Sequence, residues 1–141
     1  MKYKITKDMV TETAHRLLLH KGACNHVHGH SYKFRVTVGC NTLDDNGMVM
    51  DFSDLKKIME KVIGRFDHTI VLNIEDPLIE AISKNVFMTI GISNGDPTAE
   101  TFARTVYMDI EDRLKRDFRV HIVEVTVWET ANNFATYGGD V

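Results

Sequence analysis

A run of strict alternation narrows the choice of fold more than anything else in the chain. Phe34, Val36 and Val38 alternate with Lys33, Arg35 and Thr37 within residues 31–40, the period of a strand buried on one face. His28-Gly29-His30 stands directly before it. Side chains two apart on a strand share a face, so both imidazoles can reach one ion. Their parity continues into Phe34, Val36 and Val38, which turns the pair inward. Gly29 adds no side chain to crowd the rings.

A third imidazole stands close by in sequence. Residues 2–15 carry Tyr3, Ile5, Met9 and Val10 among polar residues, a loose strand pattern that ends at His15. His15 is in phase with Thr13 and Thr11, and an antiparallel neighbour brings it beside the pair. Three neutral imidazoles with an open fourth position describe a catalytic zinc site. A closed structural site wants four protein ligands, usually from C-x₂-C pairs, and the sequence has none. A lone histidine is usually a solvated loop residue; a pair abutting an apolar strand, with a third on the strand before, reads as metal-binding. His20 and His26 lack that support and read as surface or supporting residues.

Cys24 lies four residues before His28. A thiol beside a dication ionises readily, which suits a base or nucleophile at the open position. Two other readings stand beside that one: a fourth ligand that closes the site, and an inert buried thiol. Cys40, at the end of an apolar strand, reads as inert.

The remaining elements follow from periodicity. Asp44-Asp45-Asn46-Gly47 is a turn. Leu55, Ile58, Met59, Val62 and Ile63 form one apolar stripe, which predicts a helix over 53–63 with Ser53 (or Asp51) as cap and Gly64 as stop. A second helix is predicted over 97–117, with Asp96 as cap and Pro97 at its first position. Its buried face is Ala99, Phe102, Ala103, Val106, Ile110 and Leu114. Glu100 complements the positive end of that helix. Residues 119–130 alternate again, with Val123, Val125 and Val127 on one face and Glu129 in phase with them. An inward carboxylate needs a partner. A short strand is predicted over Asn133–Tyr137, a helical turn over Pro77–Ser83 and a strand over Val86–Ile92. Strand pairs framing two helices predict an α+β domain, an antiparallel sheet with two helices on one face.

Composition bounds function only by exclusion. The 141 residues fit one domain, 1–141. A net charge of −3 provides no global positive field for nucleic acid. No apolar run reaches the ~20 residues of a membrane span, and the first ten residues do not read as a signal peptide. Two cysteines make no disulfide framework and suggest a reducing, cytoplasmic compartment. No P-loop, G-x-G-x-x-G or G-x-S-x-G is present.

Cys24-x-x-x-His28-Gly29-His30, preceded by Thr13-Ala14-His15-Arg16, resembles the zinc and nucleophile motif of the 6-pyruvoyl-tetrahydropterin synthase superfamily. Further matches follow in order: Met50-Asp51-Phe52-Ser53-Asp54-Leu55-Lys56, Phe66-Asp67-His68 with Leu72-Asn73, Asp96-Pro97-Thr98-Ala99-Glu100, and Trp128-Glu129-Thr130. The short spacer after Cys24 is similar to the bacterial branch, the 6-carboxy-5,6,7,8-tetrahydropterin synthases of queuosine biosynthesis.

The resemblance implies a T-fold whose subunits assemble strands into a barrel, as a homohexamer of two trimers. It implies conversion of 7,8-dihydroneopterin triphosphate to 6-carboxytetrahydropterin, with release of acetaldehyde and triphosphate. Zinc on His15, His28 and His30 would act as Lewis acid toward the substrate's side-chain oxygens. Cys24 would be the general base, and Asp67 with His68 a second acid/base unit reaching Cys24 from a neighbouring subunit. Asp67 and His68 can touch only if the chain bends between them; otherwise they are two solvated loop residues. Glu129 would accept the pterin's paired N–H groups. Thr98 and Glu100 are further pterin-contact candidates, though helix capping explains them too. Asp51 reads as structural. A pyruvoyl-type synthase that keeps the three-carbon side chain is the nearest alternative. A non-catalytic zinc or pterin-binding module with a closed Cys-His₃ site is the second.

Overall fold

The alternating segments pair with each other along their whole length. β1 (Tyr3–His15) and β2 (His28–Cys40) form an antiparallel ladder from Tyr3 opposite Cys40 to His15 opposite His28. The computed structural model describes residues 1–84 and 89–139. After β2 come α1 (Phe52–Val62), β3 (Thr69–Asn73), α2 (Leu78–Ser83), β4 (Thr89–Ser93), α3 (Ala99–Leu114), β5 (His121–Trp128) and β6 (Phe134–Gly138). The strands make one sheet in the order β4-β3-β1-β2-β5-β6.

The pairs β1–β2, β2–β5 and β5–β6 are antiparallel, as the sequence predicts. β3 is an addition to that expectation. It runs parallel to both β1 and β4, so one edge of the sheet is a parallel β3-α2-β4 unit. All five residues of β3, Thr-Ile-Val-Leu-Asn, are buried. A strand covered on both faces shows no alternation, which is why the period-two criterion passes over it.

One face of β1, β2 and β5 meets α1 and α3. Phe34, Val36, Val38, Val125 and Val127 pack with Leu55, Met59, Val62, Phe102, Val106 and Ile110 in one core. Full burial of each such side chain contributes roughly 1.5–3 kcal/mol before entropy is counted. On β5, the expected face of Val123, Val125 and Val127 is corrected by a β-bulge. The register slips so that Thr37 faces Glu124 but Val38 faces Ile122. Val123 is the extra residue, and Ile122 takes the core position in its place.

Both helix caps differ from the simplest reading. Asp51, not Ser53, caps α1; its Oδ1 accepts from the Ser53 N–H and hydroxyl, both at 2.7 Å. Thr98, not Asp96, caps α3, its Oγ1 accepting from Thr101 N at 3.1 Å. The turn at 44–47 holds, with Gly47 at φ 76° and Asp44 Oδ1 accepting from Asn46 N and Met48 N. The helical turn over 77–83 is α2. Of the strand expected over 86–92, residues 86–88 lie outside the described residues, and β4 begins at Thr89.

Candidate metal centre

The ladder of β1 and β2 dictates the site. Pairing His15 with His28, and Thr13 with His30, stacks three inward imidazoles at one end of the hairpin. Their ring centroids lie 4.7–5.2 Å apart, and one nitrogen from each falls within 4.8 Å of the others.

Backbone carbonyls set the tautomers. A carbonyl only accepts, so His15 Nδ1–H donates to Pro97 O at 2.7 Å and His28 Nδ1–H donates to His26 O at 2.6 Å. Each neutral ring therefore presents a bare Nε2 inward, the arrangement that outer hydrogen bonds give to metal-ligating histidines. His15 Nε2 and His28 Nε2 lie 3.1 Å apart. Two nitrogens on one tetrahedral zinc stand about 3.3 Å apart, given Zn–N lengths of about 2.05 Å. His30 Nε2 is buried and has no hydrogen-bond partner among the described residues, a costly state unless something else satisfies it. The donor set and this orphaned nitrogen fit a divalent metal ion.

Electrostatics agree. Burial lowers the pKa of His15 and of His30, against smaller upward pulls from the Pro97 carbonyl on His15 and from Glu129 on both. Both rings are then neutral near pH 7, the state that ligates. Glu129 Oε1 lies 3.3 Å from His15 Nε2 and 3.4 Å from His30 Nε2. With neutral rings these contacts are not ion pairs, and the half-buried carboxylate faces the same space as the three nitrogens.

Tyr32 completes the floor, and sequence reasoning did not single it out. It is fully buried. Its Oη lies 3.0 and 3.1 Å from the two nitrogens of His15 and donates weakly to Glu129 Oε1 at 3.5 Å. Burial and then the Glu129 charge push its phenol well above the ordinary range, so it stays protonated and a donor. Below it, Tyr32, Phe34, Phe66 and Phe102 pack edge and face at 5.1–6.3 Å. This apolar bed strengthens every charge interaction above it.

The other candidates are placed differently. Cys24 sits half-buried in a 3₁₀ turn, Ala23–Asn25, within the loop between the two histidine-bearing strands. It is near enough that a charge there raises the Tyr32 pKa. Asp67 and His68 lie across β1 from His28 and His30, at the start of β3. The chain does bend between them: His68 has φ 53°, and its Nδ1 meets Asp67 Oδ2 at 2.9 Å. His68 and His30 both border a cleft of ≈ 360 Å³ shared with Glu12, Gly29 and Ser31. Thr98 is half-buried as the α3 cap, and Glu100 is exposed in the first turn. A Cβ on Gly29 would meet Thr13 O at 3.5 Å, ordinary contact, so this glycine is not what makes room for the rings.

Residues 4–140 match the family model described as 6-pyruvoyl tetrahydropterin synthase. A 6-carboxy-5,6,7,8-tetrahydropterin synthase from Aquifex aeolicus is 33% identical over 97% of this chain and 98% of its own length. An uncharacterized protein from Wolinella succinogenes has the same fold, with TM-score 0.84 at 21% identity over 98% of both chains. The 6-pyruvoyl tetrahydropterin synthase of Plasmodium falciparum superposes with TM-score 0.71 at 20% identity over 96% of both chains. Such a match over nearly the whole length, joined to a histidine trio that the hairpin register itself creates, places the chain in the 6-pyruvoyl tetrahydropterin synthase family.

Proposed function

We propose that this chain is a zinc-dependent lyase that converts 7,8-dihydroneopterin triphosphate to 6-carboxy-5,6,7,8-tetrahydropterin, releasing acetaldehyde and triphosphate. The observation that carries the reading is the convergence of three Nε2 atoms, one of them without a hydrogen-bond partner among the described residues, beside a carboxylate. The relatives that share most of this chain's length bear that synthase name. The product would serve queuosine biosynthesis in the cytoplasm.

His15, His28 and His30 would hold the zinc, which when bound supplies Lewis-acid polarisation of the substrate's side-chain oxygens. Glu129 accepts the paired N–H groups of the pterin, which orients the ring and leaves its side chain over the histidines. Tyr32 keeps Glu129 an acceptor by donating to it. Cys24 takes a proton from the substrate side chain. Asp67 holds His68 Nδ1–H, so that His68 Nε2 faces outward to exchange a second proton. Within one chain no contact joins His68 to Cys24 among the described residues. The pair would reach Cys24 from a neighbouring copy, in a homo-oligomer such as a hexamer of two trimers. Thr98 and Glu100 would border the pterin, and residues 1–141 would act as one domain.

Incubating the zinc-loaded protein with dihydroneopterin triphosphate, and identifying products by mass spectrometry, tests the reading. Acetaldehyde and a 6-carboxy pterin are expected. A tetrahydropterin that keeps all three side-chain carbons would instead make it a pyruvoyl-type synthase. No turnover, together with a permanent Zn–S bond by X-ray absorption, would make it a closed binding module.

A further inference from the structure

The loop that carries Cys24 spans residues 16–27 between β1 and β2, and it has little core of its own. Leu19 is exposed, and so are His20, Lys21, Gly22 and Ala23. Internal ties close it: Leu17 N donates to Cys24 O at 2.8 Å, and Asn25 Nδ2 donates to Leu18 O at 3.0 Å and to Leu17 O at 3.4 Å. These hold the loop to itself. His26 O joins its far end to His28 Nδ1 at 2.6 Å, but none of these holds its Leu18–Leu19 stretch beside the metal centre.

Asp96 does. Its Oδ1 accepts from Leu18 N at 2.9 Å, and its Oδ2 accepts from Leu19 N at 3.0 Å. Both oxygens are thus spent on consecutive backbone amides of the loop. Asn73, buried at the end of β3, donates from Nδ2 to Asp96 Oδ1 at 3.0 Å and steadies the carboxylate from behind. The next residue, Pro97, is buried and offers its carbonyl to His15 Nδ1. One dipeptide therefore grips a metal-ligand histidine with its carbonyl and the thiol loop with its carboxylate.

We infer that Asp96 is a positioning residue that sets Cys24 relative to the histidine trio, with Pro97 fixing His15 from the same backbone. The catalytic part of this role rests on Cys24 being the base, as proposed above; the tether itself does not. An amide in place of the carboxylate turns one acceptor into a donor facing a backbone N–H, so the loop loses at least one tie. A small displacement of a reacting group costs rate rather than binding.

The test compares wild type, Asp96→Asn and Cys24→Ala, each zinc-loaded. Two readouts are taken: steady-state kinetics, and the rate of Cys24 alkylation by iodoacetamide followed by peptide mass spectrometry. Cys40 is fully buried and serves as the internal control. For Asp96→Asn, kcat is expected to fall by roughly ten- to a hundredfold at nearly constant KM, with zinc content unchanged. Alkylation of Cys24 is expected to speed up several-fold as the loop loosens. Wild-type kcat and wild-type alkylation in Asp96→Asn would overturn the inference. Full turnover by Cys24→Ala would instead refute Cys24 as base, while the alkylation rate would still decide the tether. If Asp96→Asn fails to fold, Asn73→Ser keeps the carboxylate and withdraws the amide behind it. The same faster alkylation is expected there, and its absence would also overturn the proposal.

Discussion

His68 turns back to hydrogen-bond the residue before it: its Nδ1 lies 2.9 Å from Asp67 Oδ2. Neighbours in an extended chain point to opposite sides. The contact exists because His68 adopts φ 53°, the left-handed region that a non-glycine residue rarely enters. Asp67 uses its other oxygen to accept from Glu12 N at 2.8 Å, and His68 N donates to Glu12 O at 2.7 Å. The turn is thus pinned to β1 on both sides, and the His68 ring remains largely exposed.

That arrangement predicts two consequences of Asp67→Ala. Without its acceptor the imidazole loses its fixed tautomer, and turnover should fall by about a hundredfold or more, with metal content unchanged. Stability should also lose part of its acid dependence. The Glu12 N–H first, then His68, holds the Asp67 pKa below the usual carboxylate range. A depressed carboxylate contributes stability above its unfolded pKa of about 3.9, and that contribution is lost as pH falls through the folded value. Denaturation midpoints between pH 6 and pH 2 should therefore fall less steeply in the variant. Parallel curves would refute this coupling.

Asp76 supports the other side of the site. Its side chain is fully buried. It receives Arg16 Nε at 2.6 Å, a second bond from Arg16 Nη2, and Leu78 N at 2.8 Å. Arg16 directly follows His15, so this pair anchors the exit of β1 against the start of α2. Asp76→Asn should destabilise the fold by about 3 kcal/mol, the usual result of leaving one partner of a buried ion pair alone. The pKa of Asp76 is lowered chiefly by Arg16. The difference between the proteins in urea should therefore be full above about pH 4 and shrink as pH falls through the folded value. A loss below about 1 kcal/mol at pH 7 would show the pair to be effectively solvated.

Much of this was legible in sequence wherever one residue type on one face carried the information. The alternation of β2 fixed which way His28 and His30 point, and the phase of His15 with Thr11 and Thr13 placed it opposite. The helical stripes located α1 and α3 to within a few residues. Three things escaped. β3 is buried on both faces, its apolar run Ile70-Val71-Leu72 is continuous, and it has no alternation to find. The bulge at Val123 is a backbone event with no side-chain signature. The Pro97 carbonyl that sets the His15 tautomer is a group that every residue possesses, so nothing in the residue names marks it. Tyr32 is different: the parity of His28, His30 and Phe34 runs straight through it, and its place on the inner face could have been read.

Metal removal should expose the cost of burying the trio. Burial lowers the pKa of His15 and His30 below the ordinary 6.5. Above pH 6.5 both are neutral in folded and unfolded chains, and they contribute no pH dependence. As pH falls below 6.5 the unfolded chain takes up protons first, so folding stability declines until the folded values are passed. Chelator-treated protein should therefore melt progressively lower from pH 6.5 downward, and added zinc should raise the melting temperature at pH 7. His28→Ala should abolish that zinc-dependent rise and leave the protein metal-free by elemental analysis. Zinc retained at wild-type content would count against the trio as the binding site.

Glu129 separates an open site from a closed one. Its Oε1 lies 3.3 Å from His15 Nε2 and 3.4 Å from His30 Nε2, so position alone allows either a pterin acceptor or a further metal ligand. Glu129→Gln keeps the size but replaces one acceptor oxygen with a donor, which cannot pair with two pterin N–H groups. Losing one hydrogen bond to a charged acceptor, and leaving the other on a neutral one, costs about 3 kcal/mol, roughly a hundredfold in pterin affinity. The expected result is that loss, read by calorimetry with a non-reacting pterin, at wild-type zinc content. Loss of zinc with pterin affinity unchanged would assign the carboxylate to the metal. The position needed for an incoming substrate oxygen would then be filled by the protein itself, and a binding module would become the better description of the chain.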